Sequence, residues 1–158
     1  MKHPVPQVGP IDDLIEATLQ RAGMRAAGTA PEKPRASADP ALDERLTAQL
    51  KKGVAALLDK KAEKLVVLNL QGLTTISDYF VLATAGSNRQ AQALADAIEM
   101  ALKAEGRRPL SIEGYQSAVW ILIDYGDVVF HVFHDEARRF YGLERLWGDA
   151  PDATSAFR

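Results

Sequence analysis

The residues of this chain best able to do chemistry lie in a few places. His131, His134, Asp135 and Glu136 crowd together, and imidazole beside carboxylate is metal-ligand chemistry. On a strand, however, positions three apart face opposite ways, so one ion could not be shared without a break in the strand. His131 is expected to pack beside Trp120, and His134 to sit near the strand end. Gly86-Ser87, at a helix start, could cradle a phosphate, and Asp78, Asp124 and Asp127 could hold magnesium. Ser87 has a simpler task as a helix cap, with Gln90 three residues on, and aspartate is common in turns. No Asp-x-Asp pair follows the Gly-Ser, and the chain has neither a Gly-x-Ser-x-Gly elbow nor a phosphate-binding Walker loop. The chain lacks cysteine, which excludes disulfides, zinc ribbons and thiol catalysis. The residues therefore point away from an enzyme and from any cofactor or metal.

A binding face remains. Trp120, Tyr79, Tyr115, Phe133, Tyr141 and Trp147 are candidate aromatic anchors, although Tyr141 and Trp147 suit a core better. Asp78, Glu113, Asp124, Asp127 and Glu136 fall at strand ends or turns and are expected to form an acidic surface for a basic partner. The segment 117–133, SAVWILIDYGDVVFHVF, organises the chain. Its apolar runs flank Tyr125-Gly126, a hairpin signal. A turn there predicts Asp124 opposite Asp127, Leu122 opposite Val129 and Trp120 opposite His131. One face (Val119, Ile121, Ile123, Val128, Phe130, Val132) must be core. The other, with Trp120, Leu122, Val129, His131 and Phe133, is either partly covered or used for grip.

The elements that position these residues follow from periodicity. Leu42, Leu46, Leu50, Val54, Leu57 and Leu58 predict an amphipathic helix. Strands are expected over 64–70, 78–84 and 109–113, a helix after Ser87 ending near Gly106, and a short helix over 136–141 capped by Asp135. This order predicts an α/β fold with a mixed five-stranded sheet flanked by helices. Residues 1–40 read as a flexible N-terminal extension, 41–148 as the domain and 149–158 as a polar C-terminal tail. Within the extension, Ile11, Leu14, Ile15 and Leu19 share helical spacing, so the stretch either docks or stays a transient helix. The 158 residues are 47% hydrophobic and 25% charged, as in an ordinary globular protein. A net charge of −2 argues against direct, sequence-specific capture of nucleic acid. No run approaches a membrane span, and Asp12, Asp13 and Glu16 suit no transit peptide, which leaves the cytoplasm as the expected location.

The stretches NLQGLTTISDYFVLATAGSNRQ and IEGYQSAVWILIDYGDVVFHVFHDEARRFYGLERLWGDAP closely resemble the ribosomal silencing factor family, also called Iojap-like. The resemblance covers roughly residues 42–151. It implies a shape related to nucleotidyltransferases without their catalytic acids. It also implies a translational repressor that binds the large ribosomal subunit through its fourteenth protein and sterically blocks joining of the small subunit, notably under nutrient limitation. A large-subunit assembly or maturation factor would use the same docking face. Homodimers occur in the family. Carried onto this chain, the family's motifs match Ser77-Asp78-Tyr79, Glu113-Gly114, Trp120-Ile121 and the series from Arg138 to Trp147. The residues expected at the partner are Trp120, Ile121, Asp78, Tyr79 and Glu113.

Overall fold

The computed structural model describes residues 40–73 and 77–158. The N-terminal extension expected over 1–40, with its apolar stripe, lies almost wholly outside them. Leucine and valine at helical spacing form α1 (Pro40–Asp59), which buries Leu46, Leu50, Val54 and Leu57. Strands β1 (Glu63–Asn69) and β2 (Tyr79–Ala85) follow, then α2 (Asn88–Ala104). Short β3 (Ser111–Glu113) precedes the hairpin of β4 (Trp120–Asp124) and β5 (Val128–His134). Helices α3 (Asp135–Tyr141), α4 (Leu143–Leu146) and α5 (Thr154–Phe157) complete the order.

The sheet has five strands in the order β1-β2-β5-β4-β3. It is mixed, as expected: β2 and β5 run parallel, and the other neighbours are antiparallel. Both faces are covered, which is why β1, β2 and β5 are nearly continuous in apolar residues. Val81, Ile121, Ile123, Phe130 and Val132 pack under α1 and α2 against Leu94, Ile98 and Leu102. Leu68, Phe80, Leu82, Trp120, Leu122 and Phe133 pack on the other side against Ala137, Leu143 and Trp147.

Gln90 ties the first two helices together. Its backbone N–H donates to the Ser87 hydroxyl at 3.0 Å, and its side-chain oxygen accepts from the Gly86 N–H at 2.7 Å. Its amide then donates to the carbonyls of Lys60 and Lys61 just past α1, each at 3.2 Å. The end of α1 thus meets the start of α2, and the two helices run antiparallel.

Several expectations need correction. The hairpin turns at Gly126-Asp127, with the Tyr125 N–H donating to the Val128 carbonyl at 2.9 Å. Asp124 faces Val129, Leu122 faces His131 and Trp120 faces Phe133. Gly126, at φ +91°, takes the first central position, where a II′ turn demands glycine. The slip is two residues, so side-chain faces are preserved. Val119, just before β4, packs instead with the Trp120 side. Asp135 lies inside α3 rather than capping it, and its carboxylate pairs with Lys64 at 2.7 Å.

The polar tail is not a free tail. The Asn69 N–H donates to the Pro151 carbonyl (2.9 Å), and the Ala153 N–H to the Val67 carbonyl (2.7 Å). The Val67 N–H donates to the Thr154 hydroxyl at 2.9 Å. The tail therefore satisfies backbone groups that an edge strand would leave unpaired. Phe157 anchors it, buried edge-on against Tyr79 with ring centroids 5.4 Å apart.

Candidate docking surface

The alternation of β4 turns Trp120 toward α3, where it is fully buried. Its ring packs at 5.2 Å from Phe133 and 5.1 Å from Tyr141, and its indole N–H donates to His131 Nδ1 at 3.1 Å. That bond puts the proton of the neutral imidazole on Nε2. Desolvation, reinforced by the Arg138 charge, pushes the His131 pKa down to about 3, so the ring is uncharged at neutral pH. Ile121 faces the other way and is sealed under the first two helices. Neither residue has surface for a partner to touch, which corrects their expected placement at the contact face. The sequence showed that one hairpin face was complete core. It did not show that α3 and α4 cover the second.

The remaining expected residues divide into two places. Glu113 is exposed on β3, opposite Leu122 and one diagonal step from Trp120 on the same sheet face. Asp78 and Tyr79 lie at the start of β2, beside the hairpin tip, where both backbone N–H groups donate to the Asp127 carbonyl, at 2.9 and 3.1 Å. Asp78 is buried and Tyr79 half-buried. Five strand positions separate that tip from Trp120, about 17 Å. The structure thus pairs Trp120 with Glu113, and Asp78 with Tyr79, but does not assemble all five.

The expected acidic surface is also thinner. Asp124 is buried and accepts from the Gly126 N–H at 2.7 Å. Asp127 is held by Arg107 at 3.1 Å, and the same guanidinium donates to the Tyr125 carbonyl and to Gln49. Glu113 and Glu136 remain exposed.

Sequence reading missed Phe140. It is 51% exposed and stands edge-on against Tyr141 at 4.8 Å. Trp120, Tyr141 and Phe140 form a ladder of rings from the interior to solvent. Spacing gave no signal for it: position 140 stands i+3 from buried Ala137, on the face that periodicity turns inward, so its exposure is set by where the short α3 sits. Below the ladder, Arg138 grips Glu144 with two bonds of 3.0 Å and donates to Thr84 and the Lys64 carbonyl. The series from Arg138 to Trp147 thus clamps α3 and α4 over the second core.

At Gly86-Ser87 the Gly86 N–H is taken by the Gln90 side chain, and the Ser87 hydroxyl oxygen accepts from the Gln90 N–H as a helix cap. Among the described residues, no group of three or more His, Asp or Glu is placed to hold a metal ion. No described helix is long and apolar enough to cross a membrane.

These features define a small mixed α/β domain with both faces of one sheet covered. The family model described as ribosomal silencing factor during starvation matches residues 43–157, and the chain belongs to that family. A ribosomal silencing factor of Halalkalibacterium halodurans is 46% identical over 102 residues, 65% of this chain and 87% of the relative. That of Bacillus subtilis is 43% identical over 108 residues, 68% of this chain and 92% of the relative. A crystal structure from Chromobacterium violaceum, 38% identical, superposes with a TM-score of 0.63 over 64% of this chain and 84% of that one.

Proposed function

We propose that this chain represses translation by docking on the large ribosomal subunit, at its fourteenth protein, so that the small subunit has no room to join. Its action is strongest when nutrients run short. The observation that carries this reading is membership, across essentially the whole described fold, of a family described by ribosomal silencing during starvation. Blocking by occupancy makes and breaks no bond, so it needs no catalytic group and no cofactor.

The docking residues are Phe140 and Glu113 at the ladder, with Tyr79 at the hairpin tip. Trp120 and Ile121 act from beneath by holding the strand, and Asp78 acts by holding the tip. A half-exposed phenylalanine beside carboxylates suits a partner that presents lysine and arginine around an apolar pocket.

The test is co-sedimentation with purified large subunits. Phe140→Asp is expected to weaken binding about thirtyfold, as loss of a hot-spot anchor would. Glu113→Lys is expected to weaken it less and to flatten its salt dependence. Wild-type binding by Phe140→Asp would remove the ladder from the interface.

A further inference from the structure

The end of α2 is closed by a left-handed glycine. The Gly106 N–H donates to the Lys103 carbonyl at 2.9 Å, and the Arg107 N–H to the Leu102 carbonyl at 2.8 Å. Gly106 has φ +83°, which this closure requires and which glycine takes without strain. The backbone of Arg107 is therefore fixed by the helix end, and its side chain starts from a set place.

From there the guanidinium reaches two other elements. Nη1 donates at 2.6 Å to the side-chain oxygen of Gln49, a buried residue of α1. Nη2 donates to the Tyr125 carbonyl at 2.7 Å. Both nitrogens also face the Asp127 carboxylate, Nη2 at 3.1 Å from Oδ1 and Nη1 at 3.3 Å from Oδ2. The guanidinium carbon lies 5.5 Å from the centre of the Tyr125 ring. Tyr125 and Asp127 flank Gly126, so one planar group holds both sides of the hairpin turn. Such a fork fixes direction as well as distance. Lysine would supply the charge but not the plane.

The turn passes this hold to the start of β2. The Asp127 carbonyl accepts from the N–H groups of Asp78 and Tyr79, at 2.9 and 3.1 Å. The carboxylate and the carbonyl of one residue thus join Arg107 to Tyr79. The Tyr79 ring leans on Phe157, with centroids 5.4 Å apart, and stays half-buried.

We propose that Arg107 is the positioning residue for docking at the hairpin tip. It fixes Asp127, and through the Asp127 carbonyl it sets where Tyr79 stands when the partner arrives. The inference rests on the docking role given above to Tyr79, and it requires no contact between Arg107 and the partner.

The test uses the full chain and two variants. Arg107→Met keeps the stem and removes the fork, and Arg107→Lys restores the charge without the fork. In the free chain, hydrogen exchange of the Asp78 and Tyr79 amides is expected to speed up about tenfold in both variants, relative to the Leu82 amide in the middle of β2. In co-sedimentation with purified large subunits, both variants are expected to bind about tenfold more weakly than the wild type. On a Tyr79→Ala background the further loss from Arg107→Lys is expected to shrink below about twofold, because no ring is left to place. Unchanged exchange at both amides in Arg107→Met would overturn the proposal. Wild-type binding by Arg107→Lys would also overturn it, since charge alone would then suffice. A full tenfold loss on the Tyr79→Ala background would do the same, by showing that Arg107 acts without Tyr79. Failure of the wild-type chain itself to sediment with large subunits would instead overturn the docking reading, and this proposal with it.

Discussion

Under α1 and α2 the sheet is packed almost entirely with side chains that carry no polar atoms. Under α3 and α4 the same sheet buries an indole bonded to an imidazole, a guanidinium and a second indole. The His131 Nε2 and the Trp147 Nε1 are buried there without a hydrogen-bond partner. An apolar core is held by shape and area, and it tolerates pH. A polar core is held by specific bonds, and each unmade bond costs stability. Trp120, Phe133, Tyr141 and Trp147, which read as candidate anchors in the sequence, are thus the framework of the second core. Of the outer rings, Tyr141 is half-buried and Phe140 is exposed.

The largest effect is expected from Trp120→Ala, which empties the centre of the second core and should cost about 3–5 kcal/mol in urea unfolding. Any loss of ribosome binding by that variant would then follow from loss of fold. On the first face, Gly53→Ala probes tightness of packing. An added Cβ would stand 2.6 Å from Cζ of buried Phe130. Alanine normally favours a helix by roughly 1 kcal/mol. The clash is expected to outweigh that gain and give a net loss of about 1–2 kcal/mol.

Acid separates the faces next. The folded His131 pKa lies below its unfolded value of 6.5, so the unfolded chain takes up a proton that the folded chain refuses. Stability from this group is complete above pH 6.5 and falls as pH drops toward 3, at a rate approaching 1.4 kcal/mol per unit, an order-of-magnitude slope of about one proton. His131→Phe is expected to flatten the decline between pH 6.5 and 5. An unchanged slope there would mean that the buried imidazole is not its source. The smallest effect belongs to Tyr125→Phe. The Tyr125 hydroxyl is buried without a partner, and burial first of all raises its pKa to about 12. Its removal should change stability at neutral pH by less than about 0.5 kcal/mol. It should also abolish the loss of stability that Tyr125 contributes as pH rises from 10 toward 12.

Much of the fold was legible in the sequence. Alternation in 117–133 sorted the strand residues of the hairpin, though not Val119 just before β4, to their faces even though the turn was placed differently, because a slip of two residues keeps side-chain direction. The stripe from Leu46 to Leu57 gave α1, and Ser87 with Gln90 gave the start of α2. The C-terminal strap was hidden because its attachment uses backbone groups of Pro151 and Ala153, which carry no side-chain pattern. The site was the harder part. Whether Trp120 faces solvent depends on where α3 and α4 fold back, and that is decided by Arg138 reaching Glu144, Thr84 and Lys64 across the chain. Local spacing cannot report such a contact.

Subunit joining is the decisive readout. Large subunits loaded with the chain, mixed with small subunits and run on a sucrose gradient, should remain as separate particles with the chain on the larger. The Phe140→Asp variant should let the joined ribosome form. Joined ribosomes that still carry the wild-type chain would contradict blocking by occupancy.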